Sequence, residues 1–369
     1  MNTIAFKASF LLVLLSLLQS IFAQDPISSC DGISNGTRSQ ICLSGKCPLR
    51  CYTNSSNDPN CDQVCVVQPC AALSCNSTNC LQRCLSGGCN SLVCTGADCT
   101  QTCLGNCSEI NCTVTEKCNQ QCEKGHCGLR GMGYGVVEQT CAENCKDVKC
   151  KADRCRQTCV GDGCSLECPM GSRECTQDCK GPCNMKCEAS ECESTCTGGR
   201  CNLECGNSES NLCEQTCARG ACEVKCTAKI CESSCMGGHC ATFTCTADDC
   251  TQICGQNCTN MRCQSKQCDQ SCTKGNCNMY CETGAEMCVM SCPRGNCTLH
   301  CDGQWCKRDC TGDGCSYTGS GKEVRPSTPS PSTPNTLKPP KAGAQRVVSL
   351  HFTLFLPAIV YLISCNLII

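Results

Sequence analysis

Large aromatic side chains are scarce in this 369-residue chain, which has one Trp, five Tyr and six Phe. Six of these aromatics lie between residues 30 and 317: Tyr52, Tyr134, Phe243, Tyr280, Trp305 and Tyr317. A globular domain on the order of 300 residues needs many more large apolar side chains to offset its chain entropy. The scarcity excludes an ordinary core, so covalent cross-links must supply much of the stability.

Motifs for catalysis are also absent. The chain has no P-loop, no Gly-x-Ser-x-Gly and no His-Glu-x-x-His, and its net charge of −2 gives no support for binding nucleic acid. His126, His239 and His300 each lie close before a cysteine and far apart in sequence, so turn residues are the better interpretation. We expect a non-enzymatic protein without catalytic residues, cofactor or metal site.

Cysteine is abundant, with 58 residues, but no Cys-Cys, Cys-x-Cys or Cys-x-x-Cys occurs. Metallothionein-type chains depend on the Cys-Cys and Cys-x-Cys spacings. Because both are absent here, we rank metal sequestration by thiolates below a structural scaffold and below a binding module. The compartment decides between thiols and disulfides. Residues 1–23 have Lys7 followed by an apolar run and end at Ala23, which predicts a secretory signal peptide. We therefore expect an extracellular, disulfide-bonded protein.

The C-terminal end predicts membrane attachment. Residues 319–341 form a Pro/Ser/Thr-rich stalk, and residues 342–369 contain small residues followed by a terminal apolar run. This arrangement indicates a GPI-attachment signal, with Ala342 and Gly343 as candidate lipid-attachment residues, or else a C-terminal transmembrane segment. The expected locations are the cell surface and a secreted matrix.

Seven sequons predict N-linked glycans, and in four of them the middle residue is a cysteine whose disulfide would compete with glycosylation. The seven are Asn35, Asn54, Asn76, Asn106, Asn111, Asn257 and Asn296.

The cysteine spacing defines fifteen units of about nineteen residues, each with four positions, C1-x3-C2-x3/4-C3-x3/4-C4. Residues 24–60 hold a stretched first unit, and residues 61–318 hold the regular tandem repeats. Stacked repeats of this length predict a β-solenoid-like rod of short strands, and a string of small disulfide-stapled hairpins is the alternative. Gly-rich C2–C3 segments predict tight turns. One of them, Gly161-Asp162-Gly163, has a single acidic residue, which is too few oxygen ligands for a calcium-binding loop.

Glutamine lies midway between C1 and C2 in ten units, where it would form an amide ladder between coils or simply be exposed on a polar strand. The ten residues are Gln63, Gln82, Gln101, Gln120, Gln139, Gln157, Gln177, Gln215, Gln252 and Gln270.

A defect in the repeat suggests the disulfide pairing. Gly131 stands where a C4 is expected and Val137 where the next C1 is expected. Two consecutive vacancies are explained if C4 bonds the next C1 and C2 bonds C3, whereas C1–C4 hairpins would leave Cys118, Cys150 and Cys306 unpaired. The scheme leaves Cys30 over and predicts, among others, the pairs Cys217–Cys222, Cys226–Cys231, Cys235–Cys240 and Cys245–Cys250.

The order of signal peptide, dense cysteine repeats, Pro/Ser/Thr stalk and lipid-anchor tail resembles cysteine-rich extracellular matrix and surface proteins of invertebrates, specifically the cnidarian skeletal organic matrix class. The resemblance implies a structural extracellular scaffold in a mineralising matrix. The partners we expect are the membrane, glycans, and matrix components or further copies of the chain. The alternative function is a cell-surface binding or adhesion module that uses its inter-repeat loops. The segment from Gly128 to Thr140, the longest break in the later repeats, is the first candidate for such a loop.

Overall fold

The computed structural model describes residues 39–42, 49–52, 60–66, 70–86 and 88–324, and within them the chain is a β-solenoid without helices. Every strand pairing in the described residues is parallel, and each strand between the two ends pairs with the strand one coil earlier and one coil later. Each coil contributes two short strands that lie on opposite sides of a thin interior. The predicted disulfide-rich, solenoid-like repeat rod is confirmed, with about fourteen turns.

The strands that carry the C1-x3-C2 segments form one side, called here the glutamine sheet. They are β1 (Ser39–Cys42), β3 (Asn60–Cys65), β5 (Asn79–Cys84), β9 (Val136–Cys141), β11 (Arg154–Cys159), β13 (Glu174–Cys179), β15 (Glu191–Cys196), β17 (Leu212–Cys217), β19 (Ile230–Cys235), β23 (Met287–Ser291), β25 (Trp305–Asp309) and β27 (Lys322–Glu323).

The strands that carry the C3–C4 segments form the opposite side, called the aliphatic sheet. They are β2 (Leu49–Tyr52), β4 (Leu73–Asn76), β8 (Gly128–Gly133), β10 (Asp147–Lys151), β12 (Cys164–Cys168), β14 (Cys183–Cys187), β16 (Asn202–Cys205), β18 (Glu223–Thr227), β22 (Asn278–Cys281), β24 (Thr298–Cys301) and β26 (Ser316–Thr318). Four longer strands run from the aliphatic sheet into the glutamine sheet: β6 (Cys89–Cys103), β7 (Cys107–Cys122), β20 (Thr242–Cys254) and β21 (Met261–Cys272).

Strand alternation explains why these residues form this interior. In β5 the burial alternates along Asn79–Cys84, so Cys80, Gln82 and Cys84 face inward while their neighbours face outward. Successive side chains of a strand point to opposite sides, so the C1-x3-C2 spacing places both cysteines and the glutamine on one side. The same alternation holds in β11 and β13, which are in register with β9 from C1 to C2.

The turns after C2 are built from residues with left-handed backbone geometry. Gly220 and Ala221 have φ of 80° and 57°, and Asn257 has φ of 53°. Glycine adopts this region without steric cost, and asparagine does so more readily than most residues. The Gly-rich C2–C3 segments of the sequence are therefore the tight turns that they predicted.

Candidate functional site: the cross-linked interior and the outer faces

Two columns of disulfide bonds run along the solenoid, and together they contain 27 bonds among the described residues. The within-coil column joins C2 to C3 across each turn, from Cys65–Cys70 to Cys310–Cys315. The between-coil column joins C4 to the next C1, from Cys51–Cys61 to Cys301–Cys306. Each described turn is thereby closed by a within-coil bond, and each coil is tied to the following one except at Gly131 and Val137.

The disulfide pairing inferred from the sequence is the pairing in the structure. The four named pairs, Cys217–Cys222, Cys226–Cys231, Cys235–Cys240 and Cys245–Cys250, are all bonded, with Cα–Cα distances of 6.1 to 6.5 Å. Disulfides span Cα separations of about 4.4–6.8 Å, so adjacent segments across a turn reach one another without backbone distortion. Cys30 lies outside the described residues.

The vacancy at Gly131 and Val137 lies in the between-coil column. Gly131 is in register with Cys112 and Cys150, and Val137 is in register with Cys118 and Cys155. A Cβ added at Gly131 would lie 2.3 Å from Val137 Cγ1, and Val137 is fully buried. The valine side chain fills the volume of the missing disulfide, and the glycine leaves room for it. The two residues therefore replace one bond as a pair.

The glutamines form a buried amide ladder, which decides between the two interpretations that the sequence left open. The Gln101 amide donates to Gln82 Oε1 at 2.8 Å, and Gln120 donates to Gln101 at 2.9 Å. Gln139 donates to Gln120 at 2.7 Å, and Gln157 donates to Gln139 at 2.9 Å. The amide nitrogens also reach the aliphatic sheet, as in the 3.0 Å bond from Gln139 to the Lys149 carbonyl. Each amide thus bonds both along and across the interior.

The ladder starts one coil earlier than the sequence indicated. Gln63 donates to Gln40 Oε1 at 2.9 Å, and Gln40 is in register with Gln63. The stretched first unit hid this residue, because its distance to a preceding cysteine does not follow the repeat. Further along, Ser194 and Ser233 occupy ladder positions and donate to Gln177 and Gln215 at 3.2 Å. A hydroxyl therefore replaces the amide as the donor in two coils.

A second buried column lies opposite the ladder, and sequence reasoning missed it. One apolar residue per coil faces inward two positions before C4, and successive members are in register. The fully or almost fully buried members are Leu73, Leu92, Ile110, Leu129, Val148, Leu166, Met185, Leu203, Val224, Phe243, Met261, Met279 and Leu299. The signal was present as a fixed apolar position in each C3–C4 segment. A thin apolar core therefore complements the disulfides, and they do not replace a core altogether.

The ladder ends at the C-terminal coil in a charged side chain. Met290 and Arg308 occupy the last two ladder positions in register. The Arg308 guanidinium donates to the Thr318 carbonyl at 2.9 Å and pairs with Glu323 at 3.2 Å, and its side chain is 12% exposed. Arg308 thus makes the cross-sheet bond that glutamine makes elsewhere and closes the end of the interior with an ion pair.

The outer faces carry charges whose arrangement differs between the two sheets. On the aliphatic sheet, Lys149 lies 3.1 Å from Glu167, and this hydrogen bond raises the pKa of Lys149 together with the charges of Asp147 and Glu167. On the glutamine sheet, Glu193, Glu214 and Glu232 are stacked in register without a cation between them. Partial burial, with the charges of Glu232 and Glu193, raises the pKa of Glu214. The glutamine sheet also has ion pairs, such as Arg83–Asp62 and Lys117–Glu138, but its three stacked glutamates add an acidic row.

The three histidines are placed differently from one another. His239 has φ of 58° in a turn, as expected, and His126 Nδ1 lies 3.2 Å from the Asn144 carbonyl. His300 is on strand β24 and not in a turn, which corrects the expectation for this residue. Its Nδ1 lies 2.9 Å from Thr318 Oγ1, and its Nε2 lies 2.8 Å from the Asp302 carboxylate. This chain of bonds joins the last two coils.

Asp302 itself bonds forward into the last coil. The Ser320 amide and hydroxyl donate to Asp302 Oδ1 at 2.9 and 3.0 Å. The backbone hydrogen bond from Ser320, followed by the bonds from His300 and from the Ser320 hydroxyl, lowers the pKa of Asp302. The carboxylate therefore holds the final turn in place while it is ionised.

The segment from Gly128 to Thr140 is not a protruding loop. It forms β8 and most of β9, both in register with their neighbours, around a short turn at Tyr134. A Cβ at Gly133 or Gly135 would lie within 2 Å of a backbone carbonyl oxygen of the previous coil. Tyr134 is 88% exposed between them, so the feature available to a partner is a single aromatic side chain.

Five predicted glycosylation residues lie in described segments. Asn76, Asn106 and Asn296 are exposed, whereas Asn111 and Asn257 are half-buried. Asn35, Asn54, Ala342 and Gly343 lie outside the described residues, as do the signal peptide and most of the stalk. Within the described segments, no helix is long and apolar enough to cross a membrane.

The chain matches no protein-family model, no curated protein and no solved structure. The density of disulfide bonds indicates an extracellular or secreted protein.

Proposed function

We propose that this protein is a non-enzymatic extracellular scaffold whose function depends on its resistance to unfolding and proteolysis. The observation that carries the proposal is the pair of disulfide columns, which place the turn of nearly every described coil inside a short covalent loop. Within-coil bonds such as Cys217–Cys222 close loops of five residues, and between-coil bonds such as Cys205–Cys213 close loops of up to eight in the regular repeats.

The position of the bonds relative to the turns explains how they would protect the chain. Turns are the exposed segments, whereas the strands are held in parallel ladders and their inward residues are buried. Proteases cut exposed loop tips by preference. A cut in the turn between Cys217 and Cys222 leaves both new ends joined by the disulfide. Cleavage would therefore nick the scaffold without releasing a fragment.

The setting of the scaffold is part of the proposal. The predicted signal peptide, Asn-linked glycans and C-terminal lipid anchor or transmembrane segment would place it at the cell surface, and shedding would place it in a matrix. The resemblance to skeletal matrix proteins favours a mineralising matrix. The acidic row of Glu193, Glu214 and Glu232 is compatible with that setting.

Proteolysis of the secreted protein tests the scaffold proposal. The native protein is treated with trypsin and run on denaturing gels with and without reductant. We expect one full-length band without reductant and several fragments with it, because nicked turns remain joined. Prior reduction and alkylation should make the protein degrade to small peptides. Release of fragments from the unreduced protein would contradict the proposal.

Localisation of the native protein tests the setting separately. Immunogold labelling should find it at the outer cell surface or in the extracellular matrix, and phosphatidylinositol-specific phospholipase C should release it if the anchor is GPI. Labelling confined to the cytosol would overturn the extracellular scaffold.

A binding module is the second candidate, and the exposure of Tyr134 favours it. The aromatic ring protrudes at a turn whose flanking glycines, Gly133 and Gly135, pack directly against the backbone of the previous coil. Beads coated with the Tyr134→Ser variant should adhere to cells less than wild-type beads if this residue contacts a partner. Val160→Ser, at another exposed apolar residue, is the matched control.

Metal sequestration, the second alternative, would require thiolates. The 27 bonds use 54 cysteines, so metal uptake would have to follow their reduction. A free-thiol assay on the native secreted protein distinguishes a scaffold, with about one thiol, from a metal store, with many.

A further inference from the structure

The two disulfide columns bring sulfur atoms of successive coils close together. In the within-coil column, Cys164 Sγ lies 3.8 Å from Cys141 Sγ, although each is bonded to a different cysteine. Sulfurs of three cysteines lie within 4.8 Å of one another in several groups, among them Cys65, Cys84 and Cys89. In that group one sulfur of a coil faces both sulfurs of the next disulfide.

This contact repeats along the column. The same arrangement holds for Cys84 with Cys103 and Cys107, and for Cys159 with Cys179 and Cys183. Parallel strands lie about 4.8 Å apart, so the register that stacks the coils also stacks their disulfides. Cysteines in register on neighbouring coils have Cα atoms within the range that a disulfide spans.

One end of the within-coil column is accessible. Among the described residues, Cys310–Cys315 is the only disulfide whose cysteines are half-buried, and the cysteines of all others are buried. The Cys292 amide donates to the Asp309 carbonyl at 2.8 Å, so the last two coils remain paired up to this bond. Accessibility to an attacking thiolate controls exchange, so a small thiol would react first at this end.

We propose that each disulfide column conducts thiol–disulfide exchange, so that a thiol generated at one coil migrates to neighbouring coils. In the first step the Cys310 thiolate attacks Cys292 Sγ. A Cys292–Cys310 bond forms, the Cys292–Cys297 bond breaks, and the electron pair leaves on Cys297. One disulfide is made for each one lost, so no oxidant or reductant is consumed.

The next step repeats the exchange one coil further. Cys297 Sγ lies 3.5 Å from the Cys277 amide nitrogen, which places it beside the Cys272–Cys277 bond. Attack on Cys272 Sγ, the same contact that Cys164 makes with Cys141, forms Cys272–Cys297 and releases Cys277. An external thiol, of the small-molecule or protein dithiol class, would start the sequence by opening Cys310–Cys315. This activity does not depend on the scaffold proposal.

The between-coil column provides an internal control. It contains the same sulfur proximity, as in the group Cys80, Cys94 and Cys99, but it is interrupted at Gly131 and Val137. A thiol cannot pass a coil that has no disulfide to attack. Migration in this column should therefore stop between Cys150–Cys155 and Cys112–Cys118.

The test uses the full secreted chain with Cys315→Ser, which leaves Cys310 as a thiol in the terminal coil. The protein is held at about pH 8.5 for hours so that the thiolate forms and exchange proceeds. It is then quenched with acid, alkylated and mapped by mass spectrometry. We expect most of the alkyl label to be lost from Cys310 and to appear on Cys297 and Cys277, together with a new Cys292–Cys310 cystine peptide.

Three further measurements make the result decisive. In Cys306→Ser the label should spread from Cys301 along the between-coil column, without reaching Cys112 or Cys118. In urea the same variants should scramble across both columns. Far-UV circular dichroism of each variant establishes that the solenoid is intact. If a variant does not fold, the same labelling experiment is carried out on wild-type protein in which a substoichiometric amount of a dithiol has opened one disulfide. Label that stays on Cys310 in the folded Cys315→Ser protein, while the urea sample scrambles, would overturn the proposal.

Discussion

At the scale of single residues, glutamine shows what the sequence could and could not decide. Its position midway between two cysteines follows from the repeat, and inward cysteines on the same strand predict that it faces the interior as well. Whether it bonds along the axis depends on the distance to the next coil. Gln139, with bonds to Gln120 and from Gln157, acts as donor and acceptor along the axis at once.

Replacing one glutamine should therefore loosen several coils. Gln139→Met keeps the side-chain volume, and methionine occupies the equivalent position at residue 290. Gln120 Oε1 would lose its donor, whereas the Gln157 amide nitrogen would lose one acceptor and keep the Val148 and Glu167 carbonyls. We expect a cost of about 2 kcal/mol, mainly for the buried oxygen that is left without a donor. Hydrogen exchange should show a loss of protection of about 30-fold or more in β7, β9 and β11. The outward Thr140→Val, on the same strand, should change protection by less than about twofold.

Asp302 should make the last coil sensitive to acid. Its folded-state pKa is lowered, so its bonds contribute stability above the unfolded value and lose it as the pH falls through the folded value. We expect the Ser320 amide resonance to shift toward a random-coil position below about pH 4. Asp302→Asn should abolish this titration. An unchanged titration in the variant would show that another group is responsible.

At the scale of elements, each strand of the aliphatic sheet from β4 to β24 carries one inward apolar residue at a fixed position of the repeat. The apolar residue two positions before C4, such as Leu166 or Met185, occurs once per coil, and an isolated apolar residue in a polar segment suggests no core by itself. Stacking turns these isolated residues into a continuous column. The turns and the disulfide pairing were easier to predict from the sequence than this apolar column, because both depend on contacts between residues a few positions apart in the chain.

The vacancy in the between-coil column allows a direct test of how the coils are stapled. The double variant Gly131→Cys/Val137→Cys should form the missing disulfide between two positions six residues apart. We expect a gain of about 2 kcal/mol in the free energy of unfolding. Each single change should destabilise the protein, since Gly131→Cys collides with the Val137 side chain and Val137→Cys leaves a cavity. Denaturant melts of the four proteins would show this as strong non-additivity. Additive effects would mean that the two sites are not in contact.

At the scale of the whole molecule, a stack of parallel coils has two ends that can recruit further strands. Repeat proteins require terminal units that differ from the interior ones. Here Arg308, Glu323 and the His300–Asp302 chain form the C-terminal end, where the ladder and the between-coil column both stop.

Removing this end should promote association. Arg308→Gln restores the interior ladder residue and eliminates the ion pair with Glu323. Sedimentation velocity should show a larger concentration-dependent rise in sedimentation coefficient for the variant than for wild type. Lys307→Gln, at the outward-facing neighbour, removes the same charge and should behave as wild type. Equal association of both variants would assign the effect to net charge.

The amino-acid sequence alone was enough to predict the repeat, the turns and the disulfide scheme, because cysteine spacing restricts local geometry and the paired vacancy at Gly131 and Val137 reports which positions bond. The stacked coils were needed to establish that the glutamines form a ladder, that single apolar residues join into a core, and that Arg308 closes the end. These features arise between coils about nineteen residues apart in the chain, where the parallel register sets the distance between atoms. No local pattern contains that distance until the coils are stacked.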